Sequence, residues 1–411
     1  MTTTVDLADF LLVQRWKAFR SLDGAGPAIL HISHYGGGGT ERHVRELSGL
    51  LESAGIRSLV LRPSHQPKGK YILERYCCPN HNPLEYYQDL NWNLLLHDLQ
   101  KLNVHHLHVH HLWGHANPIY TFLKQSRITY DITIHDYYFA CPRIHMIHDH
   151  SQYCGEPDEA GCNACIEKRG HLIPQSPRDL RIETWRELHR EIIDRARKIF
   201  VPDVSVQERF NRYFPSREYS VRPHFNTTHT ARPIAAEWQP DLPIHVVILG
   251  NVIPGKGPEI VLKCAQDALD RKLPLVFKII GILEPQPQSV PTNLTISGAY
   301  DDTNLFSLLE QAQPHLALFP STVPETYCYT LSAALAGGLY CLGVDLGAIG
   351  RRLSNTDRGE TFAFGSSVQS INDRLMALAG RSFTTSAPDE LWCAKYPNIL
   401  SDYYELPLNL R

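Results

Sequence analysis

A chain of 411 residues with 43% hydrophobic and 20% charged residues is globular and long enough for two domains, each with its own core. Its net charge of −3 excludes broad nucleic-acid binding through a basic surface, and no apolar run approaches the roughly 20 residues that a membrane-spanning helix needs. Ten cysteines, without the charged, apolar and small-residue order of a secretory signal, point to reduced thiols or metal ligands in a cytoplasmic setting.

Residues 4–22 carry the period of an amphipathic helix. Val5, Ala8, Leu12, Trp16 and Phe19 share one face, with Arg15, Lys17 and Arg20 nearby. Two roles fit: a membrane-surface helix giving peripheral contact at the inner face of the membrane, or a helix docking on the body or on a partner chain. Residues 1–23 are therefore set apart from a first α/β unit over 24–222. That unit opens with a strand at 28–33, then Gly36, Gly37, Gly38 and Gly39. A helix over 40–54 follows, with Val44, Leu47, Leu50 and Leu51 on its apolar stripe, and then a strand at 58–61. Glycines between a strand and a helix let a ligand approach the backbone closely. The spacing is not that of a dinucleotide fingerprint and no acid ends the second strand, so a dinucleotide site is rejected. Tyrosines and prolines over 71–88 read as a surface excursion. Further strands fall at 106–110, 128–134 and 198–201, with helices over 177–196 and from Ser205.

Four thiols lie in one loop over 141–165, as Cys141-x12-Cys154-x7-Cys162-x2-Cys165. A tetrad ending in C-x-x-C suits a closed, structural zinc site. An iron–sulfur cluster or a redox pair lacks a partner motif, and unligated thiols are the remaining reading. Histidines crowd the same region: His105, His106, His108, His110, His111 and His115 along one strand, and His145, His148 and His150 inside the cysteine loop. Strand alternation splits the first group between two faces, and no H-E-x-x-H spacing accompanies them. They read as cleft and core histidines, and no catalytic metal is expected.

Residues 223–243 are rich in Asn, Thr, His and Pro and read as a linker. A second unit over 244–375 repeats strands at 244–249, 275–280, 294–297, 316–319 and 340–344 with helices between them, which implies a parallel sheet. The fold class is therefore α/β, with two Rossmann-like domains facing across a cleft. The first strand of the second unit runs into Gly250 and then Gly255-Lys256-Gly257, where Lys256 can reach a phosphate as a point charge. The fourth leads into Pro324-Glu325-Thr326-Tyr327 and a helix from about Tyr329 to the pair Gly337-Gly338. A carboxylate and helix N-terminal N–H groups thus meet at the sheet's C-terminal edge, where open α/β sheets bind ligands. The tail over 376–411, with Trp392, Tyr396, Tyr403 and Tyr404, is too aromatic to be free and is expected to pack back on the body.

Taken in order, these pieces resemble the motifs of retaining glycosyltransferases of the GT-B fold, in glycosyltransferase family 4. The resemblance rests on Gly36 to Gly39 with Thr40-Glu41-Arg42-His43, His135-Asp136, Gly255-Lys256-Gly257, Pro324-Glu325-Thr326-Tyr327 with Tyr329-Thr330-Leu331-Ser332, and Gly347-Ala348. The stretch from His135 through the first cysteines is similar to a bacterial branch that builds surface polysaccharides. The resemblance implies a nucleotide-sugar donor and a glycan or lipid-linked acceptor. It implies that Lys256 neutralises the leaving phosphate, helped by N–H groups near Thr330 and Leu331. Glu325 would hold the donor-sugar hydroxyls, His135 would reach the sugar from the first domain, and Gly37, Gly38 and Gly250 would border the donor. The family commonly carries a second glutamate, as E-x7-E, often bonded to the ribose. Here that position is Ala333, and no ribose role is carried onto it. A nucleotide-sugar 2-epimerase of the same fold and a catalytically silent sugar- or partner-binding subunit are the alternatives.

Overall fold

The computed structural model describes residues 7–35, 37–64, 69–76, 83–87, 92–115, 117–148, 152–173, 179–225, 234–379 and 396–406, with the side chains of 7–12 outside that set. The first domain follows helix α1 (Leu7–Leu22) and contains β1 (Ala28–Ile32), α2 (Gly38–Ser53), β2 (Arg57–Pro63), β3 (Lys70–Arg75), β4 (Leu84–Tyr87), α3 (Trp92–Lys101), β5 (Val104–Val109), α4 (Asn117–Gln125) and β6 (Tyr130–Thr133). It continues with α5 (Glu159–Arg169), α6 (Ile182–Arg195), β7 (Ile199–Val201), α7 (Val204–Tyr213) and β8 (Ser220–Val221). Its eight strands lie in the order β4-β3-β2-β1-β5-β6-β7-β8. Strands β1, β6 and β7 are buried along their whole length, as parallel strands covered by helices on both faces must be.

The second domain contains β9 (Ile244–Leu249), α8 (Pro258–Asp270), β10 (Leu275–Ile280), β11 (Leu294–Ile296), α9 (Leu305–Ala312), β12 (Leu316–Phe319), α10 (Tyr329–Ala336), β13 (Tyr340–Val344), α11 (Gly347–Ser354), β14 (Gly359–Phe362) and α12 (Val368–Leu378). Its strand order is β11-β10-β9-β12-β13-β14, with every pair parallel. Two Rossmann-like units are therefore present. Among the described residues no helix is long and apolar enough to cross a membrane.

Several expectations need correction. Of the expected surface excursion over 71–88, the described residues 71–75 and 84–87 instead form part of the sheet. Strands β3 and β4 extend the sheet in antiparallel pairs, with Tyr71, Leu73, Leu84 and Tyr86 buried on alternate positions. The second half of the cysteine loop is helix α5, capped by the Asp158 carboxylate accepting from Gly161 N–H at 2.8 Å. Strand β14 adds an edge that the sequence reading lacked.

Helix α1 docks on the body, with Phe19 of the expected stripe packed against the core and Trp16 turned away from it; the side chains of Val5, Ala8 and Leu12 lie outside the described set. Ala18 and Leu22 are buried, whereas Trp16 is 63% exposed. Arg15 pairs with Asp98, and Arg57 Nη1 donates to the Leu22 carbonyl at 2.9 Å. The linker is pinned at both ends: His224 and Phe225 are buried, and Ile234 N–H bonds the Gly337 carbonyl at 2.9 Å. Residues 226–233 lie outside the described set.

Of the expected tail over 376–411, residues 376–378 end α12 and residues 396–406 pack on the first domain. A π-helical turn, Ile399–Tyr404, buries Tyr403 and Tyr404 in the first domain beside Ile29, Leu47, Leu51 and Phe200. Trp392 lies outside the described residues.

Candidate functional site

In the second sheet β9 has β10 on one side and β12 on the other, so the chain direction across the sheet reverses there. Such a switch point leaves a crevice at the strands' C-terminal ends. Leu249, Phe319, Lys256, Glu325 and Thr330 line it. Gly257 makes the lysine turn possible. It adopts a left-handed conformation (φ 76°) ahead of Pro258, and a Cβ there would lie 2.0 Å from the Pro320 carbonyl oxygen. Any side chain would push the turn off the end of β12.

Lys256 Nζ meets Glu325 Oε1 at 2.8 Å. Partial desolvation works against the half-exposed ammonium, but the Glu325 carboxylate outweighs it and holds the lysine pKa above its ordinary value. The glutamate loop is fixed from both sides. Thr322 N–H bonds the Gly255 carbonyl at 2.9 Å, and Ala348 N–H bonds the Glu325 carbonyl at 2.8 Å. Arg352 donates to the carbonyls of Tyr327 and Cys328 at 2.7 and 3.0 Å. Cys328, left-handed at φ 68°, starts α10.

The first domain reaches this loop directly. Thr326 Oγ1 donates to the His135 carbonyl at 2.6 Å, and Tyr327 Oη donates to the His224 carbonyl at 2.7 Å. The His135 backbone therefore stands beside the residue that follows Glu325. Its ring pairs with His110 at 3.0 Å, and burial together with neighbouring His43 holds its pKa well below the usual histidine value. Gly37 and Gly38 open α2 with φ of 104° and 68° and have open space where a side chain would be. A Cβ on Gly39 would lie 3.5 Å from the Tyr329 ring, so this loop faces the start of α10. Gly36 lies outside the described residues.

Two candidates sit differently from expectation. Leu331 is buried in the core, and its N–H is already bonded to the Cys328 carbonyl at 3.2 Å, so it offers no donor to the crevice. Gly250 lies behind Thr330, where a Cβ would come within 3.0 Å of Thr330 Cγ2. Its lack of a side chain lets Thr330 approach. Sequence reasoning missed Thr326 and His224, whose hydrogen bonds join the domains. It also missed the stacking of Arg42 on the Tyr329 ring, 4.5 Å from its centroid. Thr326 and Arg42 lie within the motifs quoted above, but the motifs say nothing of these contacts across the domains, and His224 carries no motif.

Ala333 is buried among apolar side chains of α10 and its neighbours. A glutamate there would bury a carboxylate without a partner. Ala333→Glu is expected to lower stability by about 3 kcal/mol or more, measured by urea unfolding, without tightening nucleotide binding.

The four cysteines gather in one corner beside α6. Cys162 and Cys165 lie one turn apart on α5, Cys141 and Cys154 come from the preceding loop, and all four are free. Glu156 N–H donates to Cys154 Sγ at 3.4 Å and Arg186 Nη2 to Cys162 Sγ at 3.7 Å. Burial pushes the Cys141 thiol up to about 12. Among the described residues, however, the groups of three whose ligand atoms lie within 4.8 Å of one another are histidines.

No protein-family model matches the sequence, and no curated protein matches it. Solved structures do. Sucrose-phosphate synthase from Thermosynechococcus elongatus superposes with TM-score 0.56 at 16% identity, over 85% of this chain and 90% of that one. A glycosyltransferase from Rickettsia africae does so with TM-score 0.56 at 12% identity, over 94% and 96%. Anabaena HepE in complex with UDP and glucose gives TM-score 0.52 at 12% identity, over 86% and 89%. The likeness is one of architecture: the chain has the GT-B fold.

Proposed function

We propose that this protein is a retaining glycosyltransferase that moves a sugar from a nucleotide-sugar donor to a glycan or lipid-linked acceptor, in surface-polysaccharide synthesis. The observation that carries this reading is the Lys256–Glu325 pair in the switch-point crevice, with His135 held against the same loop from the other domain. The UDP and glucose bound by a neighbour of the same fold support it. In the step, the bond between the anomeric carbon and the diphosphate oxygen breaks. The acceptor oxygen bonds that carbon on the same face, and its proton passes to the departing diphosphate. Lys256 turns from Glu325 toward the diphosphate and offsets its growing charge, Glu325 accepts from sugar hydroxyls, and His135 donates to the sugar from the opposite wall. The chemistry needs no metal.

Thermal shift with UDP, GDP and ADP, followed by assay of slow donor hydrolysis, tests this. One diphosphate should raise the melting temperature and its sugar conjugate should be hydrolysed; no shift with any of them overturns the reading. Ala333, in place of a ribose-binding acid, favours a second reading, a catalytically silent subunit. Binding without turnover is its signature.

We also propose a structural zinc at Cys141, Cys154, Cys162 and Cys165. The donor set fits, and the N–H groups of Glu156 and Arg186 already point at sulfur, as they do around a thiolate-bound metal. Closing the site draws the sulfurs together. Cys162→Ser is expected to remove this zinc from the purified protein, read by elemental analysis, and to lower the melting temperature.

A further inference from the structure

The first sheet also has a switch point, between β1 and β5, and it is packed with imidazoles instead of being open. His31 comes from β1, His108 from β5 and His110 from the residue after it, His135 follows β6, His43 lies on α2, and His224 arrives from the linker. We propose that His43, His110 and His135 hold a divalent transition-metal ion of the zinc type, tying α2 to the ends of β5 and β6 beside the glutamate loop. Each of the three offers a ring nitrogen within 4.8 Å of one from each of the others. His110 Nδ1 and His135 Nε2 are 3.0 Å apart. Two nitrogens on a tetrahedral zinc, with bonds of about 2.0 Å, stand about 3.3 Å apart, so the pair needs only a small adjustment.

His43 supplies the second, independent observation. Its side chain is fully buried, and its Nδ1 has no hydrogen-bond partner. A buried nitrogen left without a partner is rare unless something unseen occupies it. The nitrogens not used for binding are already oriented, as around known metal sites: His43 Nε2 faces Tyr403 Oη at 3.3 Å, and His110 Nε2 faces His31 Nδ1 at 2.9 Å. In the competing trio of His31, His108 and His110, both nitrogens of His108 are held by hydroxyls that are not ligands, Tyr404 Oη at 2.8 Å and Thr133 Oγ1 at 2.7 Å, whereas His110 Nδ1 meets only His135, itself one of the proposed ligands. Three ligands leave a fourth position. His224, whose buried Nδ1 is also without a partner, stands beside it with its ring 4.2 Å from His43 and 5.4 Å from His135. Burial keeps these imidazoles neutral, the form that binds metal. Binding through His135 Nε2 leaves Nδ1 to carry the proton, so the site is compatible with sugar transfer without resting on it.

The full-length protein, stripped with a chelator and titrated with Co²⁺, tests the proposal. We expect one equivalent with visible d–d bands and no thiolate charge-transfer absorption, separate from any cysteine-bound equivalent. That signal should be lost in His43→Gln and His110→Gln and kept in His108→Gln. X-ray absorption of the wild-type zinc protein reads the ligands without any variant and should show a nitrogen-coordinated population. If all bound metal is sulfur-coordinated, or the nitrogen-only cobalt signal never forms, the proposal is overturned and the cluster is a metal-free hydrogen-bonded chain.

Discussion

Lys256→Ala is expected to lower turnover of the donor by about two to three orders of magnitude, the usual effect of removing a charge that faces a developing anion. Two losses combine. The departing diphosphate loses its cation, and Glu325 loses the ammonium that sits 2.8 Å from it. The unpaired carboxylate then repels the same diphosphate. Stability should hardly change, because the lysine side chain is 42% exposed and such pairs contribute about 0–1 kcal/mol. Lys256→Arg should recover only part of the rate, since a planar guanidinium cannot occupy the position of a point charge. Combining Lys256→Ala with Glu325→Ala should cost less than the product of the single effects, because the two side chains act as a unit. Single-turnover rates with melting temperatures measured in parallel check all of this; a full-rate Lys256→Ala enzyme would remove the lysine from the mechanism.

Tyr404→Ala is expected to destabilise the first domain by about 3–5 kcal/mol, the range for emptying a buried aromatic site. The Tyr404 ring is fully buried and its hydroxyl meets His108 Nδ1 at 2.8 Å. Its neighbour Tyr403 packs on Phe200 with ring centroids 4.8 Å apart and meets Thr133 Oγ1 at 3.3 Å. Glu405 adds ion pairs to Lys198 and Arg222. Tyr404→Phe separates the hydroxyl from the ring and should cost about 1–3 kcal/mol, because His108 Nδ1 is left unpaired. Urea unfolding gives the totals, and hydrogen exchange should place the loosening at β5, β6 and β7. Exchange confined to residues 396–406 would show that the tail is an ornament.

Most of the parallel strands were legible because they are short, β-branched- and apolar-rich segments at regular spacing; β14, Gly359–Phe362, was not, because its sequence GETF carries no apolar run. The pairing of Lys256 with Glu325 was legible too, since both follow strands of one parallel sheet and must emerge at the same edge. What escaped depends on contacts remote in sequence. On α1 the outward turn of Trp16 was not legible, because the helix is also held through Arg15 on Asp98 and through Arg57 on the Leu22 carbonyl. Strands β3 and β4 do alternate apolar and polar residues, but Cys, Pro and Asn around residues 77–83 hide the hairpin. Helix α5 has no continuous apolar face, because its packing is set by cysteines and Asn163. Leu331 was misplaced because a motif fixes an order of residues, not which of their N–H groups the first turn of a helix already uses.

Tyr403 and Tyr404 complete a hydrophobic cluster whose other members include Ile29, Leu47 and Phe200. The first domain is thus finished by residues that are made only after the second domain. On the ribosome the first domain must wait, with its histidine-lined edge uncovered, until this later turn emerges, so cotranslational order cannot simply follow chain order. Stalled nascent chains ending before residue 396 are expected to remain protease-sensitive around β5 and β6, and to become resistant once the tyrosines are released.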